Sequence, residues 1–150
     1  MSRERAILLL AEDDHLDNLP YLRELYREGD ETARTEAVRH MASYPEARTT
    51  LEDVLRDRAE AGDVRRQSAA ALRYLAPERF EAVAKEIAVD ADEDQEVRTE
   101  CLTALARLGD TERVYADADF VDRVRAVGGD DRAPQVARVA RQMLDERPDR

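Results

Sequence analysis

The sequence predicts an all-α protein assembled from repeated helix pairs, about four pairs preceded by a half unit. Three observations carry that prediction. First, an arginine followed by a fixed pattern of small and apolar residues recurs at Arg3, Arg34, Arg65 and Arg98, at intervals of 31, 31 and 33 residues. Second, the apolar positions within a copy fall at i, i+4, i+7, i+8 and i+11, as in Val64, Ser68, Ala71, Leu72 and Leu75. That is the stripe of an amphipathic helix, and no segment shows the alternation of a strand. Third, helix breakers stand at the joins: Gly29, Pro45, Gly62, Pro77, Gly109, Gly128 with Gly129, and Pro134.

Taken along the chain, the second helix of each unit is expected near 2–11, 32–44, 63–76, 96–108 and 134–146. The first of these carries Ala6, Ile7 and Leu10 after Arg3, and the next carries Ala37, Val38 and Met41 after Arg34. The two clearest copies align Val64-Arg65 with Val97-Arg98, each followed by small residues and an Ala-Leu pair. The last runs from Val136 through Ala140 to Met143 and Leu144, with Ala137 in the arginine position. Between them lie stripes for the partner helices: Leu19, Leu22, Leu25 and Tyr26; Leu51, Val54 and Leu55; Phe80, Val83, Ala84 and Ile87; Phe120, Val121, Val124 and Val127. The last interval, Val97 to Val136, is 39 residues, and its extra length is expected to split the helix between Thr111 and Val127, whose register stays open. Asp30, Asp63 and Asp110 stand beside breaks, where a carboxylate can accept hydrogen bonds from free helix N–H groups.

The Asp-Val-Arg start, the small residues, the Ala-Leu pair and the closing Leu108-Gly109-Asp110 resemble the HEAT-like repeat (the PBS lyase HEAT-like type), over nearly the whole chain. The resemblance implies one α-α superhelical domain spanning 1–150, with degenerate end units. First helices would form its convex side and second helices its concave one.

Charge sorts with this division. At 150 residues the chain can bury roughly 70% of its unfolded surface, and 39% of its residues are charged, with a net charge of −11. That balance discourages indiscriminate adhesion to nucleic acid or anionic lipid. Counted over 1–11, 32–44, 64–76, 97–108 and 134–144, the second-helix segments nevertheless carry a net +8, whereas the segments between them carry −18 and the tail from Asp145 −1. A HEAT-like arrangement would therefore be basic inside and acidic outside. There are 23 Arg but only one Lys, Lys85, beside 18 Asp, a bias that fits a GC-rich genome or a salt-adapted, halophilic cytoplasm. The single Cys101 excludes an internal disulfide framework. The apolar run Ile7 to Leu10 is too short for a signal peptide core or a membrane span, so a cytoplasmic protein with no membrane association is expected.

No constellation for catalysis stands out. His15 lies in an acidic run and His40 on a helix, without a second histidine or a His-Glu pair, so no metal site and no cofactor is expected. The missing His-Glu pairs also separate the chain from iron-binding HEAT-repeat hydroxylases. HEAT-like bilin lyases and DNA glycosylases exist, but nothing here suggests a tetrapyrrole pocket, and the Trp residues that such glycosylases use are absent. Cys101 occupies the slot of Ala6, Ala37, Ser68 and Ala140, which suits a small packed residue. Ile7 to Asp14 resembles the opening of a phosphoacceptor receiver domain, yet the later strands of that pattern are missing, and the acidic runs 12–17 and 90–96 read as solvated loops.

Two groups of residues remain. Arg3, Arg34, Arg65 and Arg98 recur once per copy and are expected to brace consecutive units by pairing with Asp30, Asp63 and the Glu93, Asp94, Glu96 cluster. Arg39, His40, Arg66, Gln67, Arg73, Tyr74, Arg107, Arg138 and Arg141 do not repeat, and they are the candidates for a partner-binding face. A non-enzymatic adaptor or scaffold is expected, whose protein partner presents an acidic helix or extended segment to these arginines. The alternative is a nucleic-acid-binding module using the same arginines against phosphate, for which Tyr74 is the one aromatic suited to stacking. A third possibility is a subunit of a larger assembly, docked through its ends near Ile7 and Leu8 or Leu144.

Overall fold

A computed structural model describes residues 18–108 and 111–147. The expected helix at 2–11, with Arg3, Ile7 and Leu8, lies outside the described residues, as do His15 and Asp110. Every regular element among the described residues is helical, and the chain separates into two compact units, Met1–Ala76 and Pro77–Arg150. No helix among the described residues is long and apolar enough to cross a membrane.

In the first unit, α1 spans Leu19–Glu28 and buries Leu19, Leu22 and Leu25, with Pro20 in its first turn, where a missing N–H costs nothing. Helix α2, Glu31–Met41, begins at Asp30, whose carboxylate accepts from the Ala33 N–H at 2.9 Å. The turn between them admits no side chain at Gly29, because a Cβ would lie 2.5 Å from the Leu25 carbonyl oxygen and 2.7 Å from the Ala33 Cβ. Helix α2 stops at Met41, short of the expected 44, and Tyr44 is extended (φ −120°, ψ 109°) as the residue before Pro45 must be. A 3-10 turn, Pro45–Ala47, leads into α3, Arg48–Arg56, and α4 covers Gly62–Leu75. Helix α1 packs on α2, α3 on α4, and the two second helices, α2 and α4, on each other. Val38, Met41, Leu51, Leu55, Val64 and Leu72 form the core at this junction, all fully buried. Each such aliphatic side chain contributes about 1.5–3 kcal/mol relative to an exposed one.

The second unit repeats the plan with one addition. Helix α5 is Pro77–Val89 and α6 is Gln95–Ala106, the latter capped by Asp94 accepting from the Val97 N–H at 2.9 Å. The long interval that follows resolves into a short helix α7, Thr111–Ala116, and α8, Ala118–Gly128. They break at Asp117, which caps α8 by accepting from the Phe120 N–H at 3.1 Å. Helix α9 is Pro134–Asp145. Helices α5 and α6 pair, as do α8 and α9; α6 packs on α9 and α5 on α8. Tyr115 ties α7 down by donating its hydroxyl to the Met143 carbonyl at 2.7 Å.

The recurring arginines make a contact with backbone carbonyls that the expected pairing with acids did not include. Arg65 donates its Nε to the Leu55 carbonyl at 2.9 Å, and Arg98 donates its Nε to the Ala88 carbonyl at 3.2 Å; both are 2% exposed. Each acceptor lies ten residues back, in the last turn of the preceding helix, where carbonyls have no partner within the helix. The arginine is thus a cap reaching from the second helix of a pair onto the C-terminus of the first, where a cation is favoured. Arg34 differs: its Nη1 reaches the carbonyl of Gly29, five residues back and just past the end of α1, at 3.0 Å, while its Nε and Nη2 take the Glu60 carboxylate at 3.2 and 3.1 Å. Asp30 and Asp63 are therefore not the partners of Arg34. Asp30 caps a helix, and Asp63 sits inside the first turn of α4, where its carboxylate bonds Arg66 and no side chain caps the helix.

In the last pair, where Ala137 stands in the arginine position, Arg141 occupies the same helix face one turn on. It donates Nη1 to the carbonyl of Gly128, the last residue of α8, at 2.6 Å. The cap survives with its origin moved by four residues. Ser68 bonds the Leu51 carbonyl at 2.6 Å from the position that Cys101 fills, fully buried, in the second unit.

Candidate functional site

The residues expected to bind a partner separate into two classes once their contacts are seen. Several are already engaged. Arg39 is 54% exposed at its side chain but pairs with Glu36, 2.9 Å away and three residues back. His40 stands beside the same carboxylate, its Nε2 3.9 Å from Glu36 and buried without a hydrogen-bond partner among the described residues. Arg66 is held by Asp63, and Arg141 by the Gly128 carbonyl. Arg141 is thereby a helix cap, which is what Arg65 and Arg98 do in the structure and not the partner-binding role the sequence suggested for it.

The others are open. On α4 of the first unit, Tyr74 is 80% exposed, far more than any other large apolar side chain described, and Arg73 beside it is half-buried. Gln67, two turns earlier, is also half-buried. In the second unit Arg107 and Arg138 are exposed on or just after second helices. Arg73, Arg107 and Arg138 form no ion pair with any described residue. An exposed arginine without an acid keeps its planar donor fork for an incoming carboxylate or phosphate.

A different surface, not marked in the sequence, lies on the first helices of the first unit. Helices α1 and α3 flank an open groove of about 520 Å³, walled by Arg23 and Arg27 on one side and Asp53 and Asp57 on the other, over Tyr26 and Val54. Its end is built by a buried polar group: the Tyr26 hydroxyl donates to Glu60 Oε2 at 2.8 Å, and Glu60 Oε1 accepts from the Ala61 N–H at 2.8 Å and from Arg34. Burial pushes the Glu60 carboxyl up, but the bonds from Tyr26, Ala61 and Arg34 outweigh it and hold the group below the ordinary glutamate range. Burial, reinforced by the bond to Glu60, pushes the Tyr26 phenol well above the ordinary tyrosine range.

In the second unit the space between first helices is closed by charge. Lys85 bonds Glu81 and Asp117, each at 3.0 Å, and lies 5.5 Å over the Phe120 ring; Arg113 of α7 closes on Glu81 from the other side. Burial raises the Glu81 carboxyl, yet the two cations more than reverse it. Asp117 is held low by the Phe120 N–H and by Lys85, and Lys85 is raised by its two carboxylates against the opposing effect of burial. Two signals for these clusters were present in the sequence: the lone Lys85 four residues after Glu81, and a glutamate five residues before both Arg65 and Arg98.

Among the described residues no group of three or more His, Cys, Asp or Glu side chains is placed to hold a metal ion. His40 Nε2 apart, helix ends, caps and ion-pair clusters engage the buried polar groups described above; the surface chemistry left over is cationic on the second helices and mixed in the α1–α3 groove. No family model, curated protein or solved structure matches the chain.

Proposed function

We propose that the chain is a HEAT-like α-solenoid acting as a non-catalytic interaction module, which receives an acidic helix or extended segment of a partner protein on its second helices. The observation that carries the reading is Tyr74, 80% exposed next to Arg73 on α4. An exposed tyrosine next to an arginine without an acid is the residue pairing that carries much of the binding energy in interfaces. The packing of second helix on second helix in each unit supports a solenoid, because that is how successive pairs stack in such arrays. Arg107 and Arg138, likewise without acids among the described residues, extend the same chemistry to the second unit. Arg39, Arg66 and Arg141 are spent on Glu36, Asp63 and Gly128, so the candidates reduce to Gln67, Arg73 and Tyr74 on the first unit and, separately, Arg107 and Arg138 on the second.

The experiment is a fluorescence anisotropy titration of a labelled glutamate-rich helical peptide and, separately, of a labelled single-stranded oligonucleotide of equal charge. Saturable peptide binding, weakened at least tenfold by Arg73→Glu with Tyr74→Ala while circular dichroism is unchanged, supports the reading. Tighter binding of the oligonucleotide, with affinity falling linearly on a log-log plot against salt, would establish the nucleic-acid alternative instead. Binding of either probe that ignores the double substitution overturns this face as the site.

A further inference from the structure

Arg34 and the acid that answers it form a pair that the corresponding positions of the second unit do not reproduce. Arg34 is answered by Glu60, which stands five residues before the arginine of the next copy, Arg65. The corresponding residue for Arg98, five before the Ala137 position, is Arg132. A cation therefore occupies the slot of the acid. Arg132 does not face Arg98 with its charge unmet; it turns to Asp130, with Nε on Oδ1 at 3.0 Å and Nη2 on Oδ2 at 3.1 Å, so both carboxylate oxygens are engaged.

Arg98 is left with a single bond. Its Nε caps the Ala88 carbonyl, and it makes no other hydrogen bond or ion pair with a described residue, although it is only 2% exposed. Asp130, Asp90 and Glu93 lie near enough to favour its charge, but none is bonded to it, and burial prevails in pushing the guanidinium below its ordinary range. The Nη groups without a protein partner open toward a cleft, and their fork is already oriented by the fixed Nε bond. The guanidinium lines a cleft of about 470 Å³ with Arg123, Arg132 and Asp130, whose carboxylate Arg132 already holds, and with Val89 and Val127 among the remaining walls. That volume is in the range of small-molecule sites, and the combination of apolar wall and a few convergent polar groups is what such sites carry.

We infer that this cleft binds a small organic acid, its carboxylate taking the free Nη groups of Arg98 in place of the glutamate that the first unit supplies, with its hydrocarbon body against Val127 and Val89. Carboxylate is the chemistry indicated because it is what Arg34 binds in the intact copy of the same pair. The site is separate from the second-helix face, and it stands or falls independently of it.

The test is a two-dimensional NMR titration of the isotope-labelled full chain with butyrate, n-butanol and inorganic phosphate at matched ionic strength, following the Arg98 Nε–H and the Val127 and Gly129 amides. Saturable shifts of these resonances with butyrate and not with butanol are expected. Arg132→Glu restores the acid of the repeat and should weaken butyrate binding at least tenfold. Since Arg132 is 83% exposed at its side chain, the fold should be indifferent to the change. Arg132→Ala, which frees Asp130 to turn toward Arg98, should weaken binding in the same direction. Shifts that do not saturate, that persist unchanged in both variants, or that appear equally with butanol would overturn the assignment. Phosphate binding tighter than butyrate would overturn the carboxylate class.

Discussion

The two units share a plan and differ in what lies between their first helices. In both, two helix pairs stack through their second helices, and an arginine caps the C-terminus of the first helix of a pair. In the first unit, α1 and α3 stand apart over an open groove, with one buried carboxylate, Glu60, at its end. In the second, α5 and α8 are in contact through a closed set of charges: Arg113, Glu81, Lys85 and Asp117. The difference comes from the inserted helix. Residues 111–117 add α7 and its junction, which deliver Arg113 and Asp117 to the faces of Glu81 and Lys85, whereas the short 3-10 turn at Pro45–Ala47 delivers no charged side chain into the groove it adjoins. A repeat frame thus leaves the gap between first helices unspecified, and connection length decides whether it becomes a groove or a contact.

If that comparison is right, the two carboxylates should differ in how replaceable they are. Glu60 serves Tyr26, Arg34 and a backbone N–H, and none of these has an alternative acid at bonding distance. Glu60→Ala should therefore cost about 3 kcal/mol, the low end for breaking a buried pair, read by urea denaturation. Glu81→Ala should cost less, about 2 kcal/mol, because Lys85 keeps Asp117 and Arg113 can turn to solvent. Equal losses would remove the distinction between an isolated and a redundant cluster.

Acid should act on both units in the same direction. Glu60, Glu81 and Asp117 all have folded values below their ordinary ones, so their contribution is complete above about pH 4.3, the unperturbed glutamate value. It is lost as pH falls through the depressed folded values. Stability flat between pH 6 and 8 and falling below pH 4 is the expected profile. Glu81→Ala should flatten the acid limb less than Glu60→Ala, because Asp117 continues to titrate against Lys85.

Tyr26→Phe removes one hydrogen bond at the end of the groove and should cost about 1 kcal/mol. Its sign with pH is opposite to that of the carboxylates. The phenol is raised in the folded state, so its contribution is complete below about pH 10 and is lost only as pH rises through the folded value. Ultraviolet titration should show Tyr26 and Tyr115, both raised by burial, ionising late, and Tyr26→Phe should remove one of these late steps.

How much of this was legible in the sequence follows from what each residue has to do. Apart from α7, whose register the sequence left open, the buried stripes of the helices were readable because burial imposes a 3.6-residue period on residue type, and Phe80, Val83, Ala84 and Ile87 are buried as that period demands. The break at Asp117 was anticipated only as extra length, since nothing local distinguishes a capping aspartate from a solvated one in a chain this acidic. The arginine spacing was visible, but its acceptor was not. A backbone carbonyl has no letter in the sequence, so an arginine that caps a helix and one that meets a carboxylate look alike, and acids at Asp30 and Asp63 drew the assignment away from Leu55 and Ala88. Arg141 was misread for the same reason. The groove between α1 and α3 left no mark because it depends on what the connection does not contribute.

Arg141 also supplies the smallest and most discriminating prediction. Arg141→Ala should cost only about 0.5 kcal/mol, the low end for one hydrogen bond, since the residue is exposed and the Gly128 carbonyl can be reached by water. If the arginine position were interchangeable among copies, adding Ala137→Arg would restore the cap from the position used by Arg65 and Arg98. We expect the opposite. Ala137 is 3% exposed, and a Cβ at Gly128 would already lie 3.1 Å from Arg141 Cγ, so α8 and α9 have closed to the spacing that glycine and alanine permit. A guanidinium forced between them would overpack the pair at about 1–3 kcal/mol, and the double substitution should be less stable than Arg141→Ala alone. Restored stability would mean instead that the pair is loose enough to accept the ancestral cap, and that the shift of the arginine by one turn reflects no constraint from packing.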